Sequence, residues 1–444
     1  MLKFLLFVFL AFPARAAVVE SPASVVCALP ENEELTLPDV LSLALCRNPQ
    51  TAQAYLSALA AAEDLGTARA AYYPNLDFKA SLDETGAKIK PTNEKTDSST
   101  VSADLSLGWL LYDFGARKAS VAQAEKALEI ALYTQTDALQ TLLFDTVRAY
   151  FDLFAARAEY ENSLATRESA KAALDAAAKR FELGVAAYAD KLQAETTFAE
   201  SELTVAKAFE VERLAHGKLA VLLNENPTAA LNLAPPAQTV VLPLPADDFG
   251  LLVDTAKKRR ADFLAKKTAV EQAQAALDGQ KAQNAPSVVL NAGAGAADKF
   301  SGDSRRTYRG NVGVSMSVPL FTGFENTHKI KRAKALLKKS RADLLAAENA
   351  LKTELWTVFQ TYRTALKSYE IALTMSASAE QNAAVALGAY KAGRGSILNV
   401  LDAQAKLADV RSTKSRSFYA VLTAKAEIVR KTGLVTPFEA EKGF

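Results

Sequence analysis

The chain has 444 residues, half of them hydrophobic, with 52 basic against 50 acidic side chains and a formal net charge of +2. That balance argues against electrostatic binding of nucleic acid, and the apolar fraction excludes disorder. Two histidines and two cysteines leave little material for a metal centre or for histidine-based catalysis. A mean hydropathy near zero excludes a bundle of membrane helices but not membrane strands, whose alternation averages out.

The first element in chain order is a leader. Lys3, an apolar run over 4–12 and Ala14-Arg15-Ala16 ahead of Ala17 lay out a secretory signal peptide over residues 1–16. Residues 17–36 form an N-terminal extension. Cys27 follows Val26, not the small residue that lipoprotein processing favours. In an oxidising compartment Cys27 and Cys46 either pair with each other or remain two buried thiols.

The rest of the chain repeats itself. Phe181-Glu182-Leu183-Gly184 matches Tyr390-Lys391-Ala392-Gly393 at an offset of 209, and Leu105-Ser106-Leu107 matches Val314-Ser315-Met316 at the same offset. Upstream, Pro74 and Pro286 give 212, which places a three-residue insertion in a loop of the first copy. The repeats span 37–225 and 247–432. A Pro-rich equatorial linker over 226–246 joins them, and a tail over 433–444 follows.

Each copy reads helix, two strands, long helix, turn, helix. The Ala-rich helix from Leu37 ends before Pro74, since proline is poorly tolerated inside a helix. The period then changes from 3.6 to 2. Leu76, Phe78, Ala80 and Leu82 alternate with Asp77, Lys79, Ser81 and Asp83, and four strands follow over about 75–88, 101–113, 287–300 and 308–321. They make two hairpins with polar tips. Alternation alone also fits a soluble sheet with one wet face. A membrane wall is favoured by strand length, by aromatic residues near the strand ends (Tyr72, Tyr73, Trp109, Tyr112, Phe300, Tyr308, Phe321), and by the lack of any partner sheet to cover the apolar face. Four strands cannot close a barrel, so a chain of this kind must oligomerise.

The helices after the strands run without proline from Gly115 to Phe181 and from Gly323 to Tyr390, or ~100 Å each at ~1.5 Å per residue. Gly184 and the pair Gly393 and Gly395 mark hinge turns, after which helices return. The fold class is mainly α with a β-barrel part, built from a duplicated unit of long helices and two β-hairpins.

Pro74, Pro319-Leu320-Phe321-Thr322-Gly323, the twin Gly184 and Gly393 turns and Val400-Leu401-Asp402-Ala403, in this order and duplicated, resemble the TolC-like outer-membrane efflux proteins over essentially the whole mature chain. The resemblance implies a homotrimer with a 12-stranded outer-membrane barrel on a long periplasmic α-helical barrel. It implies a duct without enzymatic activity or cofactor, in contact with outer-membrane lipid. The implied partners are a periplasmic adaptor (membrane fusion) protein and an inner-membrane ABC or proton-driven pump, in drug or metal efflux or in type I secretion.

It also implies a periplasmic gate. The family's turn tyrosine falls on Tyr390 and its turn glycine on Gly393. Its arginine falls on Gly395, a departure for which the adjacent Arg394 is available. Its two ring acids fall on Asn399 and Asp402, and a further acid falls on Asp190. Read without the resemblance, Asp190 and Asp402 are solvated acids early in returning helices.

Two other classes compete. A periplasmic coiled-coil adaptor would supply long hairpins but no membrane strands, and a secreted enzyme would need a nucleophile, base or metal constellation. His216 and His328 have no second ligand at helical spacing, Gly293-Ala294-Gly295 reads as small residues in a strand, and Lys257-Lys258-Arg259-Arg260 reads as the solvated start of the fifth helix. The basic run over 329–339 reads as a solvated helix face, with contact to lipopolysaccharide phosphate as the second reading.

Overall fold

The computed structural model describes residues 34–89, 94–236, 249–300 and 305–434. The signal segment, Cys27, most of the Pro-rich linker, the two hairpin tips and the end of the tail lie outside the described residues. Elements follow as α1 (Leu37–Arg47), α2 (Pro49–Ala70), β1 (Asn75–Ile89), β2 (Glu94–Tyr112), α3 (Ala116–Glu182), α4 (Tyr188–Leu222), α5 (Phe249–Arg259), α6 (Ala261–Ala282), β3 (Ser287–Lys299), β4 (Arg305–Ser317), α7 (Glu325–Lys391) and α8 (Ile397–Lys431). No described helix is long and apolar enough to cross a membrane.

The chain divides into two compact units that cut across the sequence repeats, each taking pieces from both halves. One unit comprises Leu56–Leu132 and Ala265–Ala346 and holds the sheet. The four strands lie side by side in the order β1-β2-β3-β4, every neighbour antiparallel. Alternation gave the two hairpins. The middle pairing, β2 with β3, joins the repeats, and it aligns the two faces across all four strands: Phe78↔Leu105, Leu105↔Ala294 and Ala292↔Val312 on one face, Lys79↔Asp104, Asp104↔Gly295 and Gly295↔Arg309 on the other. The apolar face is bare, with Phe78 71% and Val312 80% exposed.

Strand ends differ from the alternation. β2 begins at Glu94, well before 101, because polar residues beyond an apolar band still ladder in water although their alternation is invisible in sequence. β4 ends at Ser317, short of 321, since Pro319 has no N–H to donate. Both strand-to-helix corners use two consecutive left-handed residues, Phe114 and Gly115 in one copy, Gly323 and Phe324 in the other. At the first corner Arg117 pairs with Asp113 at 3.2 Å, donates to Leu110 O at 2.6 Å and Leu111 O at 3.1 Å, and stacks 4.6 Å from the Tyr72 ring centre.

The second unit holds Tyr133–Leu264 and Ala347–Phe444 with the segment before Leu56. Its main core packs α1 (Val40, Leu41, Ala44) on α3 (Leu143, Val147, Tyr150, Phe154), on Leu219 of α4 and on Leu223, which caps α4. The helix expected as continuous from Leu37 breaks at Asn48-Pro49, and Asn48 Nδ2 donates to Leu222 O at 2.9 Å. The basic quartet at 257–260 does not open a helix: Lys257, Lys258 and Arg259 end α5, with Lys258 and Arg259 exposed, and Arg260 follows it. Lys257 pairs with Glu348 at 2.7 Å, and Arg260, almost buried, pairs with Asp262 at 2.8 Å and Glu354 at 2.7 Å. Buried guanidinium needs such partners to offset desolvation. Gly433, at φ +71°, closes α8 where an added Cβ would lie 2.8 Å from Arg259 C and Arg260 N.

Candidate functional site

The two helix turns of the second unit are built alike. At the end of α3, Gly184 (φ +73°) donates to Phe181 O at 2.9 Å and Val185 N–H donates to Arg180 O at 2.9 Å. At the end of α7, Gly393 (φ +77°) donates to Tyr390 O at 3.0 Å and Arg394 N–H donates to Ala389 O at 2.9 Å. These are Schellman-type caps that need a left-handed residue, which glycine adopts without strain. The repeat offset of 209 therefore extends to single hydrogen bonds. Gly395 has no positive φ; its role is steric, since a Cβ there would sit 3.1 Å from Tyr390 N and 3.3 Å from Ala389 C. Ser396 caps α8, its Oγ accepting from Leu398 N–H at 3.2 Å.

Tyr390 is 1% exposed and packs with Ala173 and Ala177 of α3, Ala194 of α4, and Ile397 and Val400 of α8. The alanines leave room for the phenol between four helix ends. Burial, assisted by Asp190 and opposed by Arg180, raises the Tyr390 hydroxyl above its ordinary pKa. The hydroxyl has no hydrogen-bond partner among the described residues. Asp190 is half-buried in the first turn of α4, where its backbone N–H donates to Ala187 O at 3.1 Å. Asn399 and Asp402 are exposed and three residues apart on α8, hence on one helix face.

Arg394 is exposed and makes no ion pair among the described residues. The guanidinium that reaches Tyr390 belongs to Arg180, on the other turn: it donates to Tyr390 O, donates to Val185 O at 3.4 Å and lies 4.6 Å from the ring centre. Sequence reading missed Arg180 because the repeat match starts one residue later, at Phe181, and sets Arg180 opposite Ala389. An arginine in the last turn of a long helix, beside a glycine cap, was the available signal. Above the turns, α3 and α8 are tied by Gln404 Nε2 donating to Ser169 O at 3.0 Å, Asn162 Nδ2 to Ser415 Oγ at 3.1 Å, and Arg416 to Glu159 at 3.1 Å. No group of three or more His, Cys, Asp or Glu side chains that could hold a metal occurs among the described residues. Cys46 carries no free thiol, while Cys27 lies outside the described residues.

A bare apolar sheet and twin capped helical hairpins in one chain define the parts of an outer-membrane channel protein. The family described as outer membrane efflux protein matches residues 40–223 and 252–434, and the chain belongs to it. It is similar to CyaE of Bordetella pertussis (27% identity over 417 residues, 90% of this chain and 86% of CyaE) and to the outer membrane protein TolC of Escherichia coli (26% over 420 residues, 89% and 82%). Its fold is similar to that of the outer membrane protein VceC of Vibrio cholerae, with a TM-score of 0.77 at 20% identity over 89% of this chain and 96% of VceC. The chain is thus an outer-membrane efflux protein with a helical periplasmic part, in a family of channel and transport proteins.

Proposed function

We propose that three copies close one 12-stranded barrel and one helical conduit, a passive duct whose resting shut end lies at the turns holding Gly184 and Gly393. The observation that carries this is the sheet itself: its apolar face is exposed and its edge strands β1 and β4 have no partner among the described residues. In lipid each unsatisfied backbone group costs several kcal/mol, so the edges must pair with those of other copies. Three four-stranded sheets give a strand number typical of bacterial barrels. A periplasmic adaptor would have no use for a lipid-facing sheet.

At the turns, Asp402 of each copy converges on the threefold axis as a negative ring, with Asn399 one turn away in place of a second acid, and Tyr390, Asp190 and Arg394 flank it. Such a ring favours cations and binds polyvalent ones. An energised inner-membrane pump, ABC or proton-driven, supplies cargo through a periplasmic adaptor, and the duct conducts it passively. Fractionation of outer membranes followed by unheated and heated gel electrophoresis tests the assembly. A heat-dissociable band at three times the monomer mass is expected; a soluble monomer after leader removal would overturn it.

A further inference from the structure

Position 395, where the resemblance sets an arginine, is glycine, and a Cβ there would be a tight fit, 3.1 Å from Tyr390 N and 3.3 Å from Ala389 C. A guanidinium nevertheless occupies the place beside Tyr390, delivered from the opposite turn. Arg180 closes three contacts at once. It donates to Tyr390 O, a carbonyl at the C-terminus of α7 that already accepts from Gly393 N–H; it donates to Val185 O at 3.4 Å in its own turn; and its plane lies 4.6 Å from the buried Tyr390 ring centre. Two helix C-termini and one aromatic face are thus joined by one cation. Helix C-termini carry partial negative charge, and guanidinium stacks well on aromatic rings, so each contact favours the same side chain.

We propose that Arg180 is the latch of the resting gate in this protein, a positioning residue that ties the α3 turn to the α7 turn within one protomer. The proposal rests on the reading of these turns as the shut end of the duct. Its consequence is specific. The latch uses the ring face and main-chain carbonyl of Tyr390, not the hydroxyl, which has no partner among the described residues. Loss of the hydroxyl leaves the latch closed, and loss of the ring weakens it. The contacts of Arg180 are charge-assisted, and its planar fork makes lysine an incomplete substitute.

The test is single-channel recording in planar bilayers on full-length trimers whose unheated gel mobility matches the parent. Arg180→Gln is expected to raise the open-state occupancy by about tenfold, the equivalent of one lost charge-assisted hydrogen bond. Arg180→Lys should lie between the parent and Arg180→Gln, Tyr390→Phe should match the parent, and Tyr390→Leu, which keeps the main-chain carbonyl, should open less than Arg180→Gln and add nothing to it in the double variant. Asp402→Asn, tested for block by hexaamminecobalt(III), separates the two layers of the account. If Asp402→Asn abolishes block while Arg180→Gln and Arg180→Lys leave occupancy unchanged, the gate stands and the latch is refuted. If neither Asp402→Asn nor the Arg180 variants change anything, the gate reading is refuted and the latch with it. Equal opening by Tyr390→Phe and Tyr390→Leu would also overturn the latch, since it would assign the work to the hydroxyl.

Discussion

Asp104 on β2 and Arg309 on β4 form an ion pair at 3.0 Å although β3 runs between them. The strand between presents Gly295, whose Cβ would lie 2.1 Å from Asp104 Oδ1. Lys79, on β1, is the register partner of Asp104 on its other side. The polar face of the sheet therefore carries a charged row that one missing side chain makes continuous. Gly293, one row on, similarly makes room for Asn311, whose Oδ1 would be 2.8 Å from an added Cβ.

Gly295→Ala is expected to displace the Asp104 carboxylate and abolish the pair. Because the pair is largely exposed, the loss is at most about 1 kcal/mol. Gly295→Ala and Arg309→Gln should each lower the temperature at which the trimer dissociates, by equal amounts, and the double variant should be no worse than either. Additive losses would show that the glycine serves packing alone.

Gly433 closes α8 in a left-handed conformation against the backbone of residues 259 and 260. Gly433→Ala meets both the left-handed strain of ~1–2 kcal/mol and a backbone clash that no side-chain rotation relieves. It should reduce trimer yield and thermal stability far more than Gly310→Ala, where the nearest non-local atom is 3.9 Å from the Cβ position.

Asp137 lies among Asp262, Arg430, Arg260 and Lys431, and burial, with Asp262 adding to it, raises its carboxyl above the ordinary value of 3.8 despite the three cations. A carboxyl with a raised folded pKa holds its proton more tightly in the folded state, so its contribution is most favourable below pH 3.8 and is lost as pH rises through the folded value. Asp137→Asn should therefore raise the thermal midpoint at neutral pH, and the gain should vanish as pH falls to the unfolded value. The opposite trend would indicate that the cations dominate.

The sheet illustrates what alternation can and cannot convey. Leu76, Phe78 and Leu82 declared a face because side chains on a strand alternate, but the β2–β3 pairing joins residues such as Leu105 and Ala294 that are far apart in sequence, and nothing local encodes it. The capped turns were legible because glycine at a left-handed position is a backbone requirement written as a residue type. Arg180 was not, since its partner is a carbonyl and a ring on another helix, and neither leaves a mark in the spacing around residue 180. Arg260 was misread for the reverse reason: a run of four cations looks solvated until the chain folds Asp262 and Glu354 onto one of them.

The central claim, that three copies form one cation-favouring duct ringed by Asp402, is tested most directly by current through the purified trimer in a planar bilayer with hexaamminecobalt(III) added on the helical side. The account predicts discrete cation-selective steps of a single size that the trivalent ion blocks in the parent, with selectivity reduced and block lost in Asp402→Ala. Absence of conductance, or identical selectivity and block in the parent and Asp402→Ala, would contradict it.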